Sequence, residues 1–290
     1  MRIAIGLPST VPGATAHSLL TWAHRADAGP FSSAAVLDRV AYDSYDPFIT
    51  LAAVAGVTNR LRLATNIAIG PLRNTALLAK SVTSLHTLAG GRLTLGLAVG
   101  ARREDYDAVG ADFRDRGRLI EQQLRTLRQG KESIGTPGAM PHEGPRLMVG
   151  GSSDEVFARM ARLADGYMHG GGPPRALARA AEKARAAWED AGRPGLPEIW
   201  GQAYFALGDD DIITAGATYL KSYYAFVGPF AERIAAGLLT SPQAIAQLLR
   251  GYEDAGCDEV ALYPTSGSPE QLDRLMDALA KLGVSREPAS

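Results

Sequence analysis

Leu147-Met148-Val149-Gly150-Gly151-Ser152-Ser153, followed by Asp154 to Asp165, is the stretch from which the rest of the chain can be read. A short apolar run ends in two glycines and two serines. Apolar residues then recur at helical spacing, at Val156, Phe157, Met160, Leu163 and Ala164. This pattern predicts a strand, a tight turn and a helix start in quick succession. Unpaired backbone N–H groups at a helix start, with hydroxyls beside them, form a cradle for an anion such as a phosphate. A plainer reading fits the same residues: Ser152 or Ser153 caps the helix, and the glycines let the chain turn.

Outward from this unit, two periodicities alternate to both ends of the chain. Strands are predicted at Ile3 to Leu7, Ala34 to Leu37, Leu61 to Ile67 and Leu93 to Gly100. Beyond the central unit they follow at Tyr167 to His169, Glu198 to Leu207 and Glu259 to Tyr263. Helical spacing fills the intervals at Leu19 to Ala28, Asp46 to Val57, Thr75 to Leu88, Phe113 to Arg128 and Arg175 to Ala191. Asp46-Pro47 is a strong helix opening, with a carboxylate at the cap and proline in the first turn. A longer helical region runs from Asp210 to Arg250 with breaks near Gly228-Pro229 and Thr240-Ser241-Pro242, and a last helix covers Pro269 to Leu282. Eight strands alternating with helices, without a change of composition, predict an α/β fold: one (β/α)8 TIM barrel spanning 1–290 as a single domain. Residues 130–144, rich in Gly and Pro, form a short loop before strand five, and extra helices follow strand seven. A doubly wound sheet would place a Gly-rich nucleotide loop after strand one, where this chain has Gly6-Leu7-Pro8-Ser9.

Composition narrows the function. The net charge is −1 and hydrophobic residues make up 46% of 290, which argues against a nucleic-acid or anionic-membrane partner. Cys257 is the single cysteine, so neither an internal disulfide nor a thiolate metal cluster is expected. The histidines at 17, 24, 86 and 142 show no ligand spacing, and no metal site is expected. The five lysines lie in helices or loops rather than at strand ends, against a Schiff-base mechanism. A strand-like start and no membrane-length apolar run lead to the expectation of a cytoplasmic protein.

In such barrels the chemistry sits at the C-terminal ends of the strands, and phosphate binds on the later loops. Those ends carry Ser9, Asp38-Arg39, Asn66, Gly100 to Arg102, Gly150 to Ser153, His169 to Gly172, Tyr204-Phe205 and Tyr263. His169 and Asp38 are the candidates for a catalytic role, each with a structural alternative: a packed ring, and an ion pair between Asp38 and Arg39. The run Arg102-Arg103-Glu104-Asp105 reads as a solvated helix start, or as a fork at Arg102 for a carboxylate or phosphate. Tyr223, Tyr224 and Phe226 read as core or as a lid over the mouth.

The runs Asp38 to Pro47, Pro71-Leu72-Arg73-Asn74-Thr75, Leu88 to Gly100 and Val149 to Gly166 resemble the luciferase-like monooxygenase family. That resemblance implies a barrel binding reduced FMN, or the deazaflavin F420, at its mouth. It implies that Gly150, Gly151, Ser152 and Ser153 hold the cofactor phosphate and that Gly170, Gly171 and Gly172 close over it. It also implies Asn66 near the pyrimidine edge of the ring and Gly100 where ring or ribityl chain passes the backbone. The expected activity is oxygenation of a small organic substrate by reduced FMN and oxygen, with a separate flavin reductase as a partner and a homodimeric assembly. F420-dependent hydride transfer is the alternative, its acidic tail requiring cations such as Arg73, Arg102 and Arg175. A flavin-binding accessory protein without turnover is the third. Ala89 departs from the family's Ser-Gly-Gly-Arg, and the short loop before strand five lacks the long insertion of bacterial luciferase.

Overall fold

Alternation along the strands divides the molecule into two apolar layers. In the computed structural model, which describes residues 1–129, 135 and 144–284, Ile3, Ile5, Leu147, Val149, Val260 and Leu262 face one large core. Their in-between neighbours Ala4, Met148, Ala261 and Tyr263 face a second. A period of two with both faces apolar is what a strand needs when helices cover one side and a closed interior the other.

The strands are β1 (Arg2–Gly6), β2 (Ser33–Val36), β3 (Arg62–Ile69), β4 (Leu93–Ala98), β5 (Arg146–Gly150), β6 (Gly166–Met168), β7 (Glu198–Phe205) and β8 (Glu259–Pro264). They close into a barrel in chain order, each neighbouring pair parallel, with Arg2 opposite Glu259 and Ala4 opposite Ala261 at the seam. The ring around them comprises α1 (Ala16–Ala28), α2 (Pro47–Ala55), α3 (Thr75–Leu88), α4 (Arg103–Val109), α5 (Arg116–Gln129), α6 (Asp154–Leu163) and α7 (Pro174–Asp190). It is completed by α8 (Asp210–Tyr223), α9 (Phe230–Ala236), α10 (Pro242–Asp254) and α11 (Glu270–Lys281). The predicted (β/α)8 barrel is therefore the fold.

Local chemistry starts these helices where the sequence places them. Asp46 accepts from the N–H groups of Phe48 and Ile49 with Pro47 at the first helical position. Asn74 caps α3, and Thr15 forms a reciprocal capping box with Ser18 on α1. Two regions differ from the sequence reading. The helix expected over 113–128 is preceded by the separate α4, which stops at Gly110 in the left-handed region (φ 67°), and by a 3-10 turn at Phe113–Asp115. The long region after β7 breaks into α8, α9 and α10 at the two predicted interruptions. The loop expected at 130–144 lies outside the described residues apart from 135 and 144. Among the described residues no helix is long and apolar enough to cross a membrane.

The barrel interior changes character along its axis. At the strand starts it is charged, with Arg2, Arg62, Arg146, Glu198 and Glu259. In the middle it is filled by Ala4, Ala64, Met148, Met168 and Trp200, and at the strand ends by tyrosines. Cys257 is buried just before β8, where burial pushes its thiol up to about 12.

Candidate functional site

The C-terminal ends of the strands form a mouth with two unlike halves. Over β7, β8 and α8 lies an aromatic block. The rings of Tyr204 and Tyr263 stand 5.8 Å apart, those of Tyr204 and Tyr224 6.0 Å, and those of Tyr223 and Tyr224 5.0 Å. The hydroxyls of Tyr204 and Tyr224 are 2.7 Å apart, and the Tyr219 hydroxyl meets Thr10 Oγ1 at 2.8 Å. Burial raises the pKa of all of these phenols above the usual tyrosine value, so they are neutral hydrogen-bonding groups at physiological pH.

Over β3 to β6 the lining is glycine and isolated polar atoms. Asn66 is buried at the point where the pairing of β3 with β4 shifts between Thr65 and Ala68, and the Asn66–Ile67 peptide is cis. Its side-chain Nδ2 has no hydrogen-bond partner among the described residues. Gly151 makes the turn from β5 into α6 with φ 135°, and a Cβ there would lie 2.8 Å from Val156. Gly172 has φ 114°, and a Cβ would meet nothing within 4 Å there or at Gly170. The carbonyls of these two residues accept from Tyr252 Oη (2.9 Å) and Gln202 Nε2 (3.2 Å), so the loop is anchored although its upper side is open.

Ser152 and Ser153 are exposed. Ser153 stands at the cap position of α6, yet its side chain makes no capping hydrogen bond to the helix N–H groups. The plainer reading of a serine cap is therefore not what the geometry has. The Ser153 hydroxyl and a backbone N–H instead hold the carboxyl of Glu155 below its ordinary range.

His169, directly after β6, is half-buried. Its Nδ1 lies 3.5 Å from the Tyr167 hydroxyl, which donates to the Gly151 carbonyl at 2.7 Å, and its Nε2 has no partner among the described residues. Burial holds its pKa below the usual value, partly offset by the Gly171 backbone beside it.

Asp38 and Arg39 do not pair with each other, because adjacent side chains on an extended segment point apart. Asp38 accepts from the Ile69 N–H (2.8 Å) and from both terminal nitrogens of Arg73 (2.6 and 3.1 Å). Arg73 also binds Asp46 at 3.0 Å. Arg39 is buried against Asp105 (3.1 Å) and Glu104 (2.9 Å). Asp105, expected on a solvated helix start, is buried and accepts from the N–H groups of Val40 and Ala41 at 3.1 and 2.7 Å. Arg102 crosses from the glycine half to the aromatic half, its guanidinium carbon 4.2 Å from the Phe226 ring and 4.7 Å from that of Tyr223. Tyr223 is thus core and mouth lining at once.

Three positions at this mouth were not visible as site residues in the sequence. Ser9, buried after β1 with an Oγ that has no partner among the described residues, stands out only as a strand end. Gln202 could have been found as the inward position two residues past Trp200, whereas nothing local marks Tyr252, which reaches the glycine loop from α10.

A profile described as luciferase-like monooxygenase matches residues 1–286, and the chain belongs to that family. An uncharacterized protein of Mycobacterium tuberculosis is 32% identical over 214 residues, 61% of this chain and 73% of the relative. The 5,10-methylenetetrahydromethanopterin reductase of Methanolobus tindarius is 25% identical over 182 residues, 58% of this chain and 56% of that enzyme. Among solved structures, an F420-dependent secondary alcohol dehydrogenase in complex with an F420-acetone adduct superimposes with a TM-score of 0.81 at 15% identity, covering 99% of both chains. Members of the family are monooxygenases and related oxidoreductases that use flavin-type cofactors on small molecules.

The residues present fit such a group. Buried polar atoms nearly always have partners. Ser9 Oγ, Asn66 Nδ2, Arg102 Nε and His169 Nε2, on or shortly after four different strands, have none among the described residues.

Proposed function

We propose that this protein is a flavin-type oxidoreductase whose cofactor lies on the glycine-lined half of the barrel mouth, with its phosphate at the start of α6. The observation that carries this reading is the set of unpartnered polar atoms around that opening. Each unsatisfied group costs about 1–3 kcal/mol when buried, and a polar planar guest would relieve several together.

In this reading Ser152 and Ser153 supply hydroxyls to the phosphate, and the first turn of α6 supplies N–H groups and a favourable dipole. Gly150 and Gly151 permit close approach, Gly100 leaves room for the ring or its chain, and Gly170 to Gly172 border the cofactor. Asn66 presents an amide to the pyrimidine edge, where donors and acceptors alternate. His169, held neutral, offers one N–H and one lone pair. Asp38, saturated by Arg73 and Ile69, positions the β3 end rather than moving a proton. When bound, reduced FMN supplies the redox chemistry, activating oxygen for transfer to a small organic substrate. The tyrosine block and Arg102 exclude water from the opposite side.

FMN is favoured over F420 by the charges at the mouth. Arg73 is clamped by Asp38 and Asp46, and Arg102 is stacked on aromatic rings. Of the three arginines suited to an acidic tail, Arg175 alone is both exposed and without an ion pair among the described residues, Arg102 being partly buried under its aromatic neighbours. One free cation suits a single phosphate. Hydride transfer with F420 is the second reading, favoured by the relation to a reductase.

Titrating the protein with FMN and with F420 while following quenching of cofactor fluorescence separates the two. Replacing Ser152 and Ser153 together by Ala removes two charge-assisted donors, each worth about 1.5–3 kcal/mol, and weakens binding at least about tenfold. A folded double variant that binds normally overturns the phosphate assignment.

A further inference from the structure

The opposite end of the barrel carries a charge that the mouth does not explain. Arg2, Arg62 and Arg146 stand at the starts of β1, β3 and β5, and Glu198 and Glu259 at the starts of β7 and β8. Each of these positions is two residues before an inward-facing one: Ala4, Ala64, Met148, Trp200 and Ala261. All five side chains therefore belong to the inner face. Arg2 donates to Glu198 at 2.5 Å and to Glu259 at 2.9 Å, and Arg146 binds the other oxygen of Glu198. Glu259 also accepts from Ser32 and Ser33. Three guanidiniums thus face two carboxylates, and the uncommitted one is Arg62. Its side chain makes no hydrogen bond and no ion pair among the described residues.

A cleft of about 330 Å³ opens at this place, its wall including Arg2, Arg62, Arg146, Arg185, Glu198 and Asp258. The acids at its rim are already engaged. Asp258 accepts from the Ile199 N–H at 2.8 Å, while Asp165 accepts from the Leu147 N–H and pairs with Arg128. Arg185 spends one nitrogen on the Gly256 carbonyl at 3.0 Å. Burial and the neighbouring guanidinium of Arg146 push the Arg62 pKa down despite the two glutamates, the mark of a cation lacking its own counter-charge. A partly desolvated charge without a partner is costly, and guanidiniums in a fixed fork match a tetrahedral oxyanion.

We propose that this cleft, remote from the cofactor end, binds a phosphate group through Arg62, with Arg146 and Arg185 beside it. The group could arrive as inorganic phosphate or at the end of a phosphomonoester, and both are probed below. No reaction is implied: the fold places chemistry at the other end of the strands, so the bound group acts on stability.

The test is thermal unfolding of the full chain in inorganic phosphate, and separately in AMP, against chloride at equal ionic strength. Line broadening of the phosphorus resonance serves as a direct measure of binding. Wild-type protein is expected to show a saturable rise in Tm, about 5 °C at about 100 times Kd. Arg62→Met removes the rise and the broadening. Arg62→Lys, which keeps the charge and loses the fork, weakens binding without abolishing it. The Ser152→Ala/Ser153→Ala double variant keeps both signals, because the mouth is a separate site. A response to AMP that competes with phosphate assigns the site to phosphomonoesters, and a response to phosphate alone assigns it to the free ion. The proposal is overturned if wild-type protein shows neither signal, or if the signals survive Arg62→Met and vanish in the serine double variant.

Discussion

Glu155 stands beside the ground that a phosphate would need. Its carboxyl is exposed and ionised, and it draws on the Ser153 hydroxyl that the proposed anion would use. At the start of α6 it favours the helix dipole, yet it competes with a dianion for the same donors. Glu155→Gln is therefore expected to tighten FMN binding by about three- to tenfold at low salt, an advantage that shrinks as salt screens the charge. Fluorescence titrations at two ionic strengths measure it. His169 gives a second prediction at this scale. Its pKa is lowered in the folded protein by burial, so the unfolded chain takes up the proton first. Stability is then highest above the ordinary histidine value of about 6.5 and declines as pH falls through that value toward the folded pKa. In His169→Gln the part of the decline owed to this ring disappears, which Tm measured from pH 7 to pH 5 in both proteins would reveal.

Between elements, the contacts that shape the mouth are clamps between a strand end and a neighbouring helix. Asp38 after β2 holds Arg73 before α3, and Arg73 in turn holds the capping residue Asp46 of α2. Arg39 ties the same segment to α4 through Glu104 and Asp105. Asp38→Ala strands Arg73 and frees the Ile69 N–H. The expected cost is about 3–5 kcal/mol, the range for breaking a buried pair from one side, read from urea unfolding. These clamps mark the limit of what the sequence conveys. Strands and helices were legible because alternation and caps are local: Asp46-Pro47 announces itself. The partner of Asp38 is not local, and its neighbour Arg39 was the misleading near choice. Asp105 likewise looks solvated within its charged run, and only the fold brings Val40 and Ala41 over it. The serines after β5 could be read as a phosphate cradle or a cap from the sequence. Only the geometry removes the capping hydrogen bond.

Viewed whole, the molecule is one closed wall with a different chemistry at each end: charge where the strands begin, tyrosine and glycine where they finish. The closure depends on the first and last strands, joined by Arg2 and Glu259 at a seam that no short-range pattern could announce. The count of eight alternating units implied such a seam, because an open parallel sheet of that length would leave two edges to protect. Just before the last strand lies Cys257, its Sγ 3.1 Å from the Glu259 carbonyl. With its thiol pushed up to about 12, only about one molecule in ten thousand carries a thiolate at pH 8. A colorimetric disulfide reagent should therefore leave the native protein untouched for long periods and titrate one group at once in guanidinium. Since attack requires the buried turn between α10 and β8 to open, the slow rate in native buffer is a clock for local opening beside the last strand. A single thiol, chemically silent while that turn is shut, makes this protein its own recorder of how often it opens.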